Sequence, residues 1–112
     1  MTDLGEAVAQ RLDAARASAH GRDAQIVVHD GVLRQSVIAL VAGSELAEHN
    51  SPPAASLQVL VGRVRVTGLD ESEVAAGHLT VLTHERHAVL ALEDSVFLLT
   101  TVTSLDPSQR TD

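Results

Sequence analysis

From about residue 24 the chain breaks into short apolar runs closed by turns, and that spacing is what most limits the folds open to it. Runs rich in Val, Leu and Ile fall at Gln25–His29, Leu33–Ala42, Glu45–His49, Ser56–Val61, Arg63–Thr67, Leu79–Leu82, His87–Leu92 and Val96–Val102. Turn signals separate them: Asp30-Gly31, Gly43-Ser44, Asn50-Ser51-Pro52-Pro53, Gly68-Leu69-Asp70 and Ala76-Gly77. Many short strands with close turns predict a mainly β domain, either a sandwich or a barrel. The first residues have a different period. Leu4, Val8, Leu12 and Ala15 recur three and four apart, which predicts a helix from Thr2 to about Ala19. Thr2 or Asp3 caps its start, Glu6 is placed for a capping box, and His20-Gly21 ends it. The expected organisation is an N-terminal helix over residues 1–22, a barrel over 23–105 and a frayed polar tail over 106–112.

Patterning within the strands predicts which faces are covered. Arg63-Val64-Arg65-Val66 alternates, so its valines are buried and its arginines wet. The two arginines read as a solvated edge. The functional alternative is an anion or carboxylate site, since the guanidinium fork fits a carboxylate. His87–Leu92 is apolar on both faces and should be covered on both sides. The N-terminal helix or a second copy of the chain would supply the second cover, and the expectation of a homodimer rests on this.

Composition bounds the chemistry. Hydrophobic residues make up 45% of the chain and Phe97 is its one aromatic residue, so the core is aliphatic. A net charge of −7 argues against nucleic acid and anionic membranes as partners. No apolar run approaches the roughly 20 residues of a membrane span. The start, Met1-Thr2-Asp3-Leu4-Gly5-Glu6, has neither the basic opening nor the apolar block of a signal peptide. A soluble, cytoplasmic protein is expected. The absence of cysteine excludes disulfides, thiolate catalysis and cysteine zinc sites. Without lysine or tyrosine, Schiff-base chemistry and a tyrosine acid are excluded too. Polar chemistry falls to His, Asp, Glu, Arg, Ser, Thr and Asn, or to a bound cofactor. Glu45, Glu48, Asp70-Glu71-Ser72-Glu73 and Glu93-Asp94 read as solvated turns, and His20, His29 and His78 as surface residues.

Two stretches set the remaining histidines in a pattern. The first runs from Gly43 through His49 and Ser51 to Ala55 and Gly62, and the second from Gly77 through Thr83, His84 and Glu85 to His87 and Ala91. Their glycine and histidine spacing resembles the two motifs of the cupin family across about Leu33 to Val102. The resemblance implies a double-stranded β-helix, or jelly-roll barrel, with one N-terminal helix added. It also implies an interior site in which His-x-His, a Glu and a later His hold a divalent metal; imidazole and carboxylate suit Fe, Mn, Ni, Zn or Cu. This sequence departs from that pattern. His49 matches the first His, but Ser51 stands at the second and Ala55 at the Glu. His87 falls one residue before the later His. Thr83 replaces the motif's Pro, Glu85 its second Gly and Ala91 its Asn.

The candidate ligand pocket is therefore His49, Ser51, Ala55 and His87. His49 and His87 are the candidate metal ligands, with His84 or Glu85 as a third from the loop. Two imidazoles seldom hold a catalytic metal, so the expected cofactor is none or a weakly bound divalent transition metal. The favoured reading is a binding or regulatory module for a small apolar or carboxylated molecule, oriented by these polar groups. The alternatives are a metal-dependent oxygenase or isomerase, and a metal-free enzyme using one histidine as general base.

Overall fold

The computed structural model describes residues 1–49, 54–68, 71–82 and 87–103. A helix, α1 (Leu4–Ala17), precedes nine strands: β1 (Arg22–Asp30), β2 (Leu33–Leu40), β3 (Glu45–His49), β4 (Ala54–Val61), β5 (Arg63–Thr67), β6 (Ser72–Ala75), β7 (Leu79–Leu82), β8 (His87–Ala91) and β9 (Ser95–Val102). They form two antiparallel sheets, ordered β1-β2-β9-β4-β7 and β3-β8-β5-β6. The sheets face each other, giving the mainly β jelly-roll architecture expected from the strand spacing.

The core follows from alternation along the strands. Ile38 and Leu40 of β2, Leu57 and Val59 of β4 and Phe97 of β9 project between the sheets. There they meet Val64, Val66, Val74, Leu82, Val89 and Ala91. Burying each Val, Leu, Ile or Phe of this set contributes on the order of 1.5–3 kcal/mol. The alternate residues of β2 and β9 are apolar as well. Val37, Ala39 and Val96 lie on the outer face of the five-stranded sheet, under Ala7 and Ala15 of α1. This second cover is why Val37–Leu40 is buried without a break.

α1 starts where the sequence places a cap. The Asp3 carboxylate accepts from the Glu6 N–H at 3.0 Å, occupying one of the free donors of the first turn. The Glu6 side chain turns forward and accepts from Gln10 Nε2 at 3.1 Å. Arg11 pairs with Asp23 of β1. Arg16 Nη2 reaches Asp94, in the turn between β8 and β9, at 3.0 Å. Asp94 also accepts from the Ala42 N–H at 2.9 Å. That bond first, and Arg16 second, hold its carboxyl below the ordinary value of 3.8. Among the described residues no helix is long and apolar enough to cross a membrane.

Three expectations are corrected. Ser72 and Glu73, read as a solvated turn, belong to strand β6, which pairs with β5 through Arg65↔Glu73 and Val64↔Val74. Arg63 and Arg65 are consequently not on an edge, because β5 lies between β8 and β6. Their guanidinium groups pair with Glu73 at 3.7 and 3.2 Å, which uses the fork that an anion would have taken. Finally, α1 covers β1, β2 and β9 rather than β8. Sequence periodicity shows that a second cover exists but not which sheet receives it.

Candidate functional site

The chain crosses between the sheets twice at one end of the barrel. β3 and β4, and likewise β7 and β8, are consecutive strands that belong to different sheets. The strand ends beside these crossovers carry the candidate residues. On the five-stranded sheet, Arg34 pairs with Thr101, Thr101 with Ala55 and Ala55 with Leu82. The four positions form one row across β2, β9, β4 and β7. Each shares a strand face with core residues: Arg34 with Ile38, Thr101 with Phe97, Ala55 with Leu57, while Leu82 is itself in the core. The row therefore lines the interior, with Ser36 one step further in along β2. On the facing sheet His87 shares its face with Val89 and Ala91.

Two polar atoms at this end are buried without a hydrogen-bond partner among the described residues: His87 Nδ1 and Arg34 Nε. The Thr101 hydroxyl donates to the Arg34 carbonyl at 3.5 Å. Ala55 packs against the core as a partly buried residue. Its methyl stands where the cupin pattern would place a carboxylate.

A register shift in β3 determines what stands across from His87. Leu46 pairs with Val89, and three residues later His49 pairs with His87, two residues back along β8. The extra residue is a bulge, a device that resets which position meets a partner strand. Without it, Glu48 would occupy the register position of His49. Ser51, Thr83, His84 and Glu85 lie outside the described residues. His78 is exposed and its Nδ1 lies 3.3 Å from the Ala76 carbonyl oxygen.

As a metal centre the described part of the site is incomplete. Ala55 offers no donor atom, and among the described residues no group of three His, Cys, Asp or Glu side chains gathers to hold an ion. Arg34, Ser36 and Thr101 were not among the residues singled out from sequence. The signal was present in Arg34-Gln35-Ser36-Val37-Ile38-Ala39-Leu40, where strict alternation puts Arg34 and Ser36 on the face of Ile38 and Leu40.

Neither a protein-family model nor a curated protein matches the sequence. Solved structures do. A conserved protein of unknown function from Streptococcus pyogenes aligns with a TM-score of 0.71 at 26% identity, over 80% of each chain. A cupin superfamily protein from Desulfitobacterium hafniense aligns at 0.69 and 14% identity, over 74% of this chain and 78% of that one. A variant of salicylate 1,2-dioxygenase from Pseudoaminobacter salicylatoxidans, in complex with gentisate, aligns at 0.75 and 18% identity, over 87% of this chain and 32% of that enzyme. With the two facing sheets and the crossover end, these likenesses define the class: the chain is a small domain with the cupin fold.

Proposed function

We propose that the crossover end of the barrel, bounded by His87, Ala55, Thr101 and Arg34, binds a small molecule, and that the chain serves as a binding or regulatory module. One observation carries this reading: His87 Nδ1 is buried with no partner among the described residues, across the barrel from an alanine where the family pattern has a carboxylate. A buried polar atom left unpaired costs about 1–3 kcal/mol. A ligand that hydrogen-bonds it offsets that cost, and the aliphatic walls suit the ligand's apolar part. The test is thermal melting against a panel of small molecules, because a ligand raises the melting point by mass action. A shift in the wild type that His87→Ala abolishes supports the reading. A shift unchanged in His87→Ala, or no shift with any compound, counts against it.

A second reading is favoured by the register of β3, which sets His49 opposite His87. Two imidazoles at those positions would be the start of a divalent metal site, as in a metal-dependent oxygenase or isomerase. The alanine at position 55 leaves that set short of the usual three or four protein ligands. The discriminating measurement is metal content after purification without chelator. Well under one ion per chain, and no thermal shift with Fe, Mn, Ni, Zn or Cu, is the expected result. Near-stoichiometric metal that a His49→Ala, His87→Ala double variant loses would establish the metal reading instead.

A further inference from the structure

We propose that Arg34 is the anchor of the site and that the ligand it takes is a small carboxylate with an apolar body. This deepens the binding-site reading above and rests on it. Six arginines lie among the described residues, and five have their guanidinium groups engaged. Arg11, Arg16, Arg63 and Arg65 each pair with a carboxylate, and Arg22 donates to the Glu45 carbonyl at 3.4 Å. Arg34 alone has no side-chain partner among the described residues; its Nε is buried and unpaired, as is that of Arg11, whose Nη1 however pairs with Asp23.

Its position is not an accident of a loose surface strand. The pairing of β2 with β9 runs without a shift from Leu33↔Val102 to Leu40↔Ser95. Arg34 is thereby fixed to the interior face, in the same row as Thr101 and Ala55. Arg34 is partly exposed and keeps its charge, but its Nε–H is cut off from water, and a buried donor without an acceptor is unfavourable. An anion at this end of the barrel would restore the balance, and the planar fork of arginine matches the two oxygens of a carboxylate.

The surroundings select among anions. Leu57, Leu99 and Ile38 make the neighbouring interior aliphatic, which fits the carbon body of an organic acid. The hydroxyls of Ser36 and Thr101 are neutral. No described carboxylate or second arginine shares the row. One positive charge in such a setting suits a singly charged carboxylate. A phosphate dianion would bring a second negative charge with no second described arginine to meet it, only the ring of His87.

The test titrates benzoate and hexanoate, their neutral counterparts benzamide and hexanamide, and inorganic phosphate into the wild type, Arg34→Gln and His87→Ala, by calorimetry and thermal melting. At least one acid should bind the wild type more tightly than its amide, with affinity falling tenfold or more in Arg34→Gln while the amide is unaffected. Amides that bind as well as the acids, with Arg34→Gln neutral, would overturn the role of Arg34 and leave the binding site standing. No binding by acid or amide at millimolar concentration removes both. Phosphate that outcompetes the acids and is lost in Arg34→Gln overturns the carboxylate assignment. A ligand-free measurement adds an independent arm. In low-salt buffer Arg34→Met, which keeps the stem and removes the charge, should melt at or above the wild type. A clear drop would make Arg34 a structural residue and overturn the proposal.

Discussion

Gly62 and Gly77 have the same backbone conformation, φ +85°, which L side chains seldom adopt, yet their surroundings differ. A Cβ at Gly77 would meet nothing within 4 Å, whereas at Gly62 it would collide with the Asp94 carbonyl and the Ser95 side chain and lie 2.9 Å from Ser95 Cα. The Ser95 hydroxyl accepts from the Arg63 N–H at 3.0 Å, and the Arg63 and Glu93 carbonyls stand at 3.0 and 2.7 Å to take its proton. That junction has no slack. Gly77→Ala should therefore cost roughly 1–3 kcal/mol of backbone strain alone. Gly62→Ala should cost clearly more, and urea denaturation of the two variants reads the difference. Equal losses would show that the junction relaxes. Both glycines were legible in the sequence through the motif spacing that they punctuate. Arg34 was harder to see, since a charged residue near a strand end usually faces water. Only the parity shared with Ile38 and Leu40 gives its direction, and only the sheet order tells which face is the interior.

At the scale of elements, the strands with strong apolar alternation were readable and the one without it was not. β6 has a single buried residue, Val74. It holds its place through β5, pairing Val74 with Val64 and Glu73 with Arg65, and no local pattern announces such a strand. The packing of α1 was partly readable. Of the periodic residues Leu4, Val8, Leu12 and Ala15, the last three do pack toward the sheet while Leu4 stays exposed, and the period does not tell which sheet. Asp94 is a polar link from that helix to the rest of the domain, beside the Arg11–Asp23 pair, touching Arg16 on one side and the Ala42 N–H on the other. Because the fold lowers its pKa, its stabilising effect is present above the unfolded value and is lost as pH falls through the lowered one. Asp94→Asn keeps an oxygen for Ala42 and loses the charge. The variant should melt below the wild type at pH 7, and the gap should close under acid conditions below the ordinary carboxyl value of 3.8. A gap that persists there would show that the charge is not what matters.

For the whole molecule, the edge strand β7 bears on assembly. β7 ends the five-stranded sheet, and its Leu79 and Val81 are 64% and 75% exposed. We propose that a second copy of the chain covers this strand, since exposed apolar edge strands are prone to pair. The β8 argument for a dimer carries less weight than it does in the sequence, because Arg65 and Thr67 lie beside the outer positions Leu90 and Ala88. Light scattering at micromolar concentration should give a dimer mass for the wild type and a monomer mass for a Leu79→Lys, Val81→Lys variant. A monomeric wild type ends the proposal. The sheet order has a consequence for how the barrel comes into being. β9 is the last of the described strands, yet it sits in the middle of its sheet, between β2 and β4. Until it arrives, β2 and β4 have no neighbour on that side, and Arg34 and Ala55 belong to separate half-sheets. Such long-range closure is slow. Synthesis from the N-terminus leaves a vacant slot until nearly the whole domain has emerged, so a chain stopped before residue 95 should be unable to assemble the site at all.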